Sequence, residues 1–175
     1  MKRNVSLWQF AGFCLTALLG TMLHYLYEWS GESIVAALVA SVNESTWEHM
    51  KLLFFPLFLF AWIQSYFFKE CGNFWWVKLG GLLVGLSLIP ALYYTYNGAI
   101  GKSPDWYNIA VFFTAAAAAF FVEWRMFRRN RTRCKHPWIA LLLIGILGVL
   151  FIVFTFETPR LPLFRDPQTG TYGIG

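Results

Sequence analysis

Five apolar stretches, each long enough to cross a lipid bilayer as a helix, constrain this chain more than any other feature. They cover residues 7–28, 47–68, 74–97, 106–125 and 137–156. A helix rises about 1.5 Å per residue, so about 20 apolar residues span the roughly 30 Å hydrocarbon core of a membrane. Only 13% of the residues are charged, which is too few to cover the surface of a water-soluble domain. The sequence therefore predicts an all-α membrane protein with five transmembrane helices.

The remaining segments are shorter or less regular. Between the first two apolar stretches lies the segment 31–42, whose apolar part is too short to span, so we expect a re-entrant turn or a helix in the membrane interface. The last residues contain three prolines and three glycines. We therefore expect a five-helix transmembrane domain at residues 1–157, followed by an irregular extracytoplasmic tail at residues 158–175.

The basic residues predict how the helices are oriented. If the N-terminus is cytoplasmic, ten of the 14 Lys and Arg residues fall on the cytoplasmic side and four on the other, as is typical of bacterial inner-membrane proteins. This distribution also accounts for the net charge of +5 without a nucleic-acid partner, so we expect none. The ten are Lys2, Arg3, Lys69, Lys78, Arg125, Arg128, Arg129, Arg131, Arg133 and Lys135; the four are Lys51, Lys102, Arg160 and Arg165.

Ionisable residues gather where the first helix ends and the second begins. Helical spacing places His24 and Glu28 on one face, and it would place Glu44 and Glu48 on one face of the next helix, beside His49. Ionisable groups next to lipid are costly and are therefore functional candidates. We expect these five residues to be the catalytic groups of a polar pocket that faces the extracytoplasmic side. The residues expected to line it further are Tyr93, Tyr94 and Asn97.

Two chemistries suit such a pocket, and the sequence leaves both open. Imidazole nitrogens and carboxylate oxygens from His24, Glu28, Glu48 and His49 fit a divalent metal such as zinc. Alternatively, a poorly hydrated carboxylate beside an imidazole suits proton transfer. A purely structural reading is also open for Glu48, because Ser45 and Glu48 have the spacing of a helix-capping box.

Three stretches of the chain resemble an uncharacterised family of small bacterial membrane proteins. They are LHYLYEWSG at residues 23–31, NESTWEHMK at residues 43–51 and DPQTGTYG at residues 166–173. This resemblance implies a five-helix membrane protein of unknown function. In addition, the pattern of His24, Glu28 and Glu48 ahead of Pro56 resembles the emopamil-binding, sterol-isomerase superfamily. That resemblance implies an amphiphile pocket in which acidic groups move a proton or hold a cationic ligand, although Glu44, His49, Lys51 and the fifth helix have no counterpart there.

Together these observations predict a membrane protein whose pocket binds or acts on a lipid-like amphiphile by acid–base or metal-assisted chemistry. The alternative is a non-catalytic module that binds a ligand or an ion, or an accessory subunit of a membrane complex. Expected partners are membrane lipids and a small amphiphile, and a homo-oligomer is left open.

Overall fold

The computed structural model describes residues 4–129 and 136–174, which form a bundle of helices. Five of the helices are long and apolar enough to cross a membrane. No strand forms in the described residues beyond one isolated bridge between Arg165 and Tyr172. The predicted all-α, five-helix fold is confirmed, and no boundary of a long helix differs from the prediction by more than four residues. The helices are α1 (Val5–Trp29), α2 (Ile34–Ala37), α3 (Thr46–Phe67), α4 (Phe74–Ala99), α5 (Asp105–Arg129) and α6 (Pro137–Phe156).

The long helices run alternately in opposite directions. At one end of the bundle α1 ends beside the start of α3, and the side chain of Tyr107 near the start of α5 donates to the carbonyl of Leu92 near the end of α4. We call this end the site end. At the opposite end, the indole N–H of Trp124 on α5 donates to the hydroxyl of Ser6 on α1. Loops and tail that follow α1, α4 and α6 therefore meet at the site end.

Helix α3 is the centre of the bundle. It contacts α1, α4 and α6, and its buried residues include Leu53, Leu57 and Phe60. Helix α4 packs most extensively on α5, where a Cβ added at Gly81 would lie 2.8 Å from the backbone carbonyl of Ala119. Such small residues let transmembrane helices approach closely.

Helix α1 turns its polar side inward. Its buried residues are Gln9, Gly12, Thr16 and Gly20, three or four positions apart, whereas its exposed residues include large apolar side chains such as Leu18. This is the reverse of a helix on the surface of a soluble protein. A lipid environment explains it, because apolar side chains that face lipid need no burial.

The segment between α1 and α3 folds back onto the bundle. After α1 the chain turns at Gly31 and Glu32, both with positive φ, and enters the single turn α2. Ala37 and Ala40 are fully buried, while Ile34 is exposed. The segment therefore packs at the site end and leads directly into the candidate site.

Burial changes part of the charge comparison on which the predicted orientation rests. The side chains of Lys51 and Lys78 are fully buried in the bundle, so neither is an interfacial charge. Lys78 was counted on the cytoplasmic side and Lys51 on the other, so the excess of basic residues on the cytoplasmic side remains. Five of the basic residues counted on the cytoplasmic side lie outside the described residues: Lys2, Arg3, Arg131, Arg133 and Lys135.

Candidate metal site and cavity

The residues just before α3 form a short loop that carries Glu44. Ser45 is the N-cap, and its hydroxyl oxygen accepts a hydrogen bond from the backbone N–H of Glu48 at 3.4 Å. The side-chain oxygen of Asn43 accepts from the N–H of Ser45 at 2.9 Å. Such bonds hold a loop in a non-helical conformation at a helix start. The predicted helical spacing of Glu44 and Glu48 is therefore wrong, because Glu44 precedes the first turn of α3.

Three polar side chains meet at the site end: His24 from α1, Glu44 from the loop and His49 from the first turn of α3. Glu44 lies between the two imidazoles, with Oε1 3.6 Å from Nε2 of His24 and Oε2 3.5 Å from Nε2 of His49. The ring centres of the histidines are 5.6 Å apart. One ligand atom from each residue lies within 4.8 Å of the others. We call this group the His24–Glu44–His49 triad.

A contact with the backbone determines which nitrogen of His49 faces Glu44. Nδ1 lies 3.0 Å from the carbonyl oxygen of Ser45, which only accepts, so Nδ1 carries the proton in this contact. In the neutral ring, Nε2 then directs a lone pair toward a carboxylate oxygen of Glu44. Two lone pairs repel each other unless a proton or a metal ion lies between them. The local geometry thus favours a shared cation.

The triad has the ligand types of a zinc site. Two imidazole nitrogens and one carboxylate oxygen are common zinc ligands, and three protein ligands leave the open position that is typical of catalytic zinc. Tetrahedral ligands about 2.0–2.1 Å from zinc lie about 3.3–3.4 Å from one another. The two imidazole–carboxylate distances, 3.5 and 3.6 Å, are near this value but end on different oxygens of Glu44. With one ligand atom per residue, the three groups lie within 4.8 Å of one another. A shared ion would draw the three side chains closer together.

A cavity of about 470 Å³ adjoins the triad. Apolar residues of α3, α4 and α5 line much of it, among them Leu52, Ile89 and Phe112, and the triad contributes to its wall. A cavity whose wall combines apolar side chains with convergent polar groups is typical of a small-molecule site. None of the described lining residues is Lys or Arg. The polar residues that line the cavity in addition to the triad are Thr21, Tyr25, Thr46, Tyr93, Asp105, Asn108 and Gln168.

The C-terminal tail is part of the site. Oδ2 of Asp166 accepts a hydrogen bond from the backbone N–H of Glu44 at 3.4 Å, and Oδ1 accepts from the N–H groups of Gln168 at 2.6 Å and Thr169 at 3.2 Å. Burial alone would raise the pKa of Asp166, but these N–H groups stabilise the ionised form and hold the pKa below its ordinary value. The side chain of Asn43 also donates to the carbonyl of Gly173. The tail therefore fixes the backbone of Glu44.

Comparison with known proteins places the chain in a family. A family model described as a family of unknown function, DUF6512, matches residues 1–174. The chain belongs to this family. No curated protein and no solved structure matches the chain. The family match confirms the first resemblance found in the sequence. It does not identify the chemistry of the site.

Two of the five predicted catalytic residues lie apart from the triad. Glu28 is exposed, one turn beyond His24 at the end of α1. Glu48 is 2% exposed, and its carboxylate pairs with Lys51 at 2.6 Å and accepts from the backbone N–H of Val42 at 3.1 Å. The capping-box interpretation is half right, because Ser45 caps the helix but the carboxylate of Glu48 bonds Val42 instead of Ser45.

Of the three further residues expected to line the pocket, one lines the cavity and two do not. Tyr93 lines the cavity. Tyr94, the next residue on α4, is 39% exposed and is not among the lining residues. The amide of Asn97 bonds the carbonyl of Tyr93 and the hydroxyl of Ser103, so it holds the loop between α4 and α5.

Several residues of the site were missed from the sequence. Asp105 and Asn108 line the cavity from the first turn of α5, where spacing alone gave no sign that they would face α1. Asp166 had a signal, because Asp-Pro-x-Thr at residues 166–169 is a turn that an Asp side chain can cap. The buried pair of Lys78 and Glu123, with Nζ 2.6 Å from Oε2, was missed because its partners are 45 residues apart.

Proposed function

We propose that this protein binds a divalent metal ion, with zinc as the best fit, through the His24–Glu44–His49 triad. We further propose that its cavity binds a lipid-like amphiphile whose polar group meets the metal. One observation carries both parts: the triad forms part of the wall of a cavity that is lined by both apolar and polar side chains. A ligand inside the cavity would therefore contact the open side of the metal.

The chemistry that fits is metal-assisted acid–base or hydrolytic chemistry. A metal at such a site lowers the pKa of a bound water and polarises an oxygen of the substrate. The protein side chains hold the ligand and orient it. Tyr93 and Asp105 come from α4 and α5, whereas the triad comes from α1, α3 and the loop before α3, so polar groups approach the cavity from both sides. Asp105 and Tyr93 are therefore our candidates for holding the polar group or moving a proton.

The amphiphile follows from the shape and lining of the cavity. Its apolar walls belong to helices that also face lipid, since Ile109 lines the cavity and is 59% exposed. A hydrocarbon chain could thus enter from the membrane while its polar group stays at the triad. In the orientation that the basic residues favour, the site end faces the extracytoplasmic side of a bacterial inner membrane.

The metal is tested by elemental analysis of the full-length protein, purified without chelators. We expect about one zinc per chain, from one three-ligand site. The double substitution His24→Ala/His49→Ala should abolish binding. His136→Ala is the matched control, because His136 is exposed at the start of α6 and lies outside the triad. Metal that stays bound in the double variant, or a protein that takes up no divalent ion at all, would refute the metal site.

The cavity is tested by native mass spectrometry of lipids that copurify with the protein. Ile109→Trp fills the cavity from an exposed position, so it should remove a bound amphiphile without disturbing the core. Leu18→Trp is the control, since Leu18 is 61% exposed on α1 and does not line the cavity. Equal lipid retention in the two variants would count against an amphiphile in this cavity.

A further inference from the structure

Toward the end of the bundle opposite the triad, polar side chains from four long helices lie in the interior. They are Gln9 of α1, Gln64 of α3, Lys78 of α4 and Glu123 of α5. Gln9 is 4% exposed and the other three are 0% exposed. Polar groups inside a membrane protein are costly and commonly mark functional positions. We call these four residues the buried polar layer.

Shared neighbours show that the four residues lie at one depth. The space beside Gly12 of α1 is filled by the rings of Phe60 and Phe120, and Nζ of Lys78 lies 5.2 Å and 5.5 Å from the centres of these two rings. Gln9 precedes Gly12 by about one turn of α1. Because α3 and α5 run in the opposite direction, Gln64 and Glu123 lie about one turn from Phe60 and Phe120 on the same side.

The two buried Lys–Glu pairs of the protein differ in how well they are satisfied. Lys51 directs its ammonium group at Glu48, at the hydroxyl of Thr155 and at the carbonyl of Ala37, so three donors have three acceptors. Lys78 has one hydrogen-bond acceptor among the described residues, Oε2 of Glu123, and is otherwise surrounded by the faces of Phe60, Phe74 and Phe120. The second pair thus retains unused donors.

The neighbouring groups are also unsatisfied within the described residues. Both amide atoms of Gln9 and both of Gln64 have no hydrogen-bond partner, and neither has Oε1 of Glu123. Nearly all buried polar groups in proteins are hydrogen-bonded, and internal water supplies the bond where protein groups do not. The layer combines unused donors with unused acceptors and one positive with one negative charge. A small neutral molecule that both donates and accepts matches this set.

We infer that the buried polar layer binds a cluster of internal water molecules that bridges Gln9 and Gln64 to the Lys78–Glu123 pair. The waters hydrate a charged pair whose side chains are fully buried in the bundle. Phe60 and Phe120 fill the space on the side toward the triad, so the hydrated layer is separate from the cavity and from any metal there. The inference does not depend on the proposed function.

The test is X-ray hydroxyl-radical labelling of the full-length protein in detergent, read by mass spectrometry. Radicals formed from bound water oxidise the side chains next to it. Phe60 and Phe120 are 4% and 3% exposed, yet we expect both to be labelled. Phe54 and Phe151, 1% and 0% exposed near the satisfied Lys51–Glu48 pair, are the matched controls and should stay unlabelled. Labelling of Phe60 and Phe120 no greater than that of the controls would overturn the inference.

A second measurement uses the variant Gln9→Leu/Gln64→Leu. If water bridges these amides, the variant should lose the labelling of Phe60 and Phe120, and its midpoint of thermal unfolding should fall because the ion pair loses its hydration. If the layer is dry, removing two unsatisfied amides should raise the midpoint. A raised midpoint would contradict the inference even where the labelling is ambiguous. Should the variant fail to fold, the labelling of the unmodified protein still decides the question.

Discussion

Replacing Lys51 by methionine is expected to destabilise the protein strongly, because its buried ammonium group satisfies three acceptors at once. Nζ lies 2.6 Å from Oε2 of Glu48, and it donates to the carbonyl oxygen of Ala37 at 3.0 Å and to Oγ1 of Thr155 at 2.9 Å. These bonds join α3 to α6 and to the segment around α2. Lys51→Met would leave the carboxylate of Glu48 charged in the core without its cation.

The magnitude follows from the burial of the pair, whose side chains are 0% and 2% exposed. Removing one partner of a buried ion pair costs about 3–5 kcal/mol, and a carbonyl left without its donor adds about 1–3 kcal/mol. Methionine regains part of this by burying apolar surface, so we expect a net loss of about 3–5 kcal/mol in the free energy of unfolding.

The double substitution Lys51→Met/Glu48→Gln should recover most of the loss. It removes both charges, and a glutamine amide at position 48 can still accept from the N–H of Val42 and donate to the hydroxyl of Thr155. Replacing both members of a buried pair is often nearly neutral, so we expect the double variant within about 2 kcal/mol of the unmodified protein.

The assay is equilibrium unfolding of the detergent-solubilised protein by SDS, followed by the fluorescence of its tryptophans. Lys102→Met is the control, because Lys102 is exposed in the loop after α4 and should change stability by less than about 0.5 kcal/mol. The reasoning is refuted if Lys51→Met costs less than about 1 kcal/mol, the usual value for a surface ion pair. It is equally refuted if the double variant is no more stable than the single one.

Three further predictions concern the site and the helix contacts. Asp166→Asn should weaken zinc binding about 10-fold, because loss of a group that supports a metal ligand typically has an effect of this size. The affinity is measured by competition with a zinc-binding dye, and an unchanged affinity would contradict the prediction. Gly81→Ala should lower the free energy of unfolding by about 1–3 kcal/mol, because the added Cβ would meet a backbone carbonyl of α5. Gly98→Ala is the control, since the space around Gly98 is open and the substitution should not destabilise the protein. Equal midpoints of thermal unfolding for the two variants would contradict this prediction. Tyr93→Phe should change amphiphile retention in native mass spectrometry and Tyr94→Phe should not.

The helices were predictable from the sequence because their signal is local. In a bilayer, a run of about 20 apolar residues forms a helix, because the helix satisfies the hydrogen bonds of its backbone internally. The same rule explains why the boundaries came out so nearly right. The end of α5 differs most, because Arg128 and Arg129 extend the helix beyond the apolar stretch into the region where charged side chains are tolerated.

The site was only partly predictable, since it depends on where α3 begins. Helical spacing grouped Glu44 with Glu48, but the chain becomes helical only after the N-cap Ser45. That single boundary turns Glu44 toward both histidines and leaves Glu48 to pair with Lys51. The residue types indicated the correct region of the chain. The position of the N-cap determines which of the ionisable side chains face one another.

Contacts between distant parts of the chain gave no signal in one sequence. The two bonds that fix the Glu44 loop join residues 122 and 130 positions apart. No periodicity relates such positions, and the tail read as irregular because prolines and glycines exclude a helix there. The tail contains a short 3₁₀ helix at Pro162–Phe164 and is held by defined bonds.

These long-range bonds also have a consequence for how the site would assemble during synthesis. A ribosome delivers the two histidines and Glu44 to the membrane while more than a hundred residues are still to be made, including Asp166 and Gly173, whose bonds hold the loop in place. Until those residues are made, the Glu44 loop lacks two of the bonds that hold it. The proposed metal site would therefore be complete only after Asp166 and Gly173 have been made.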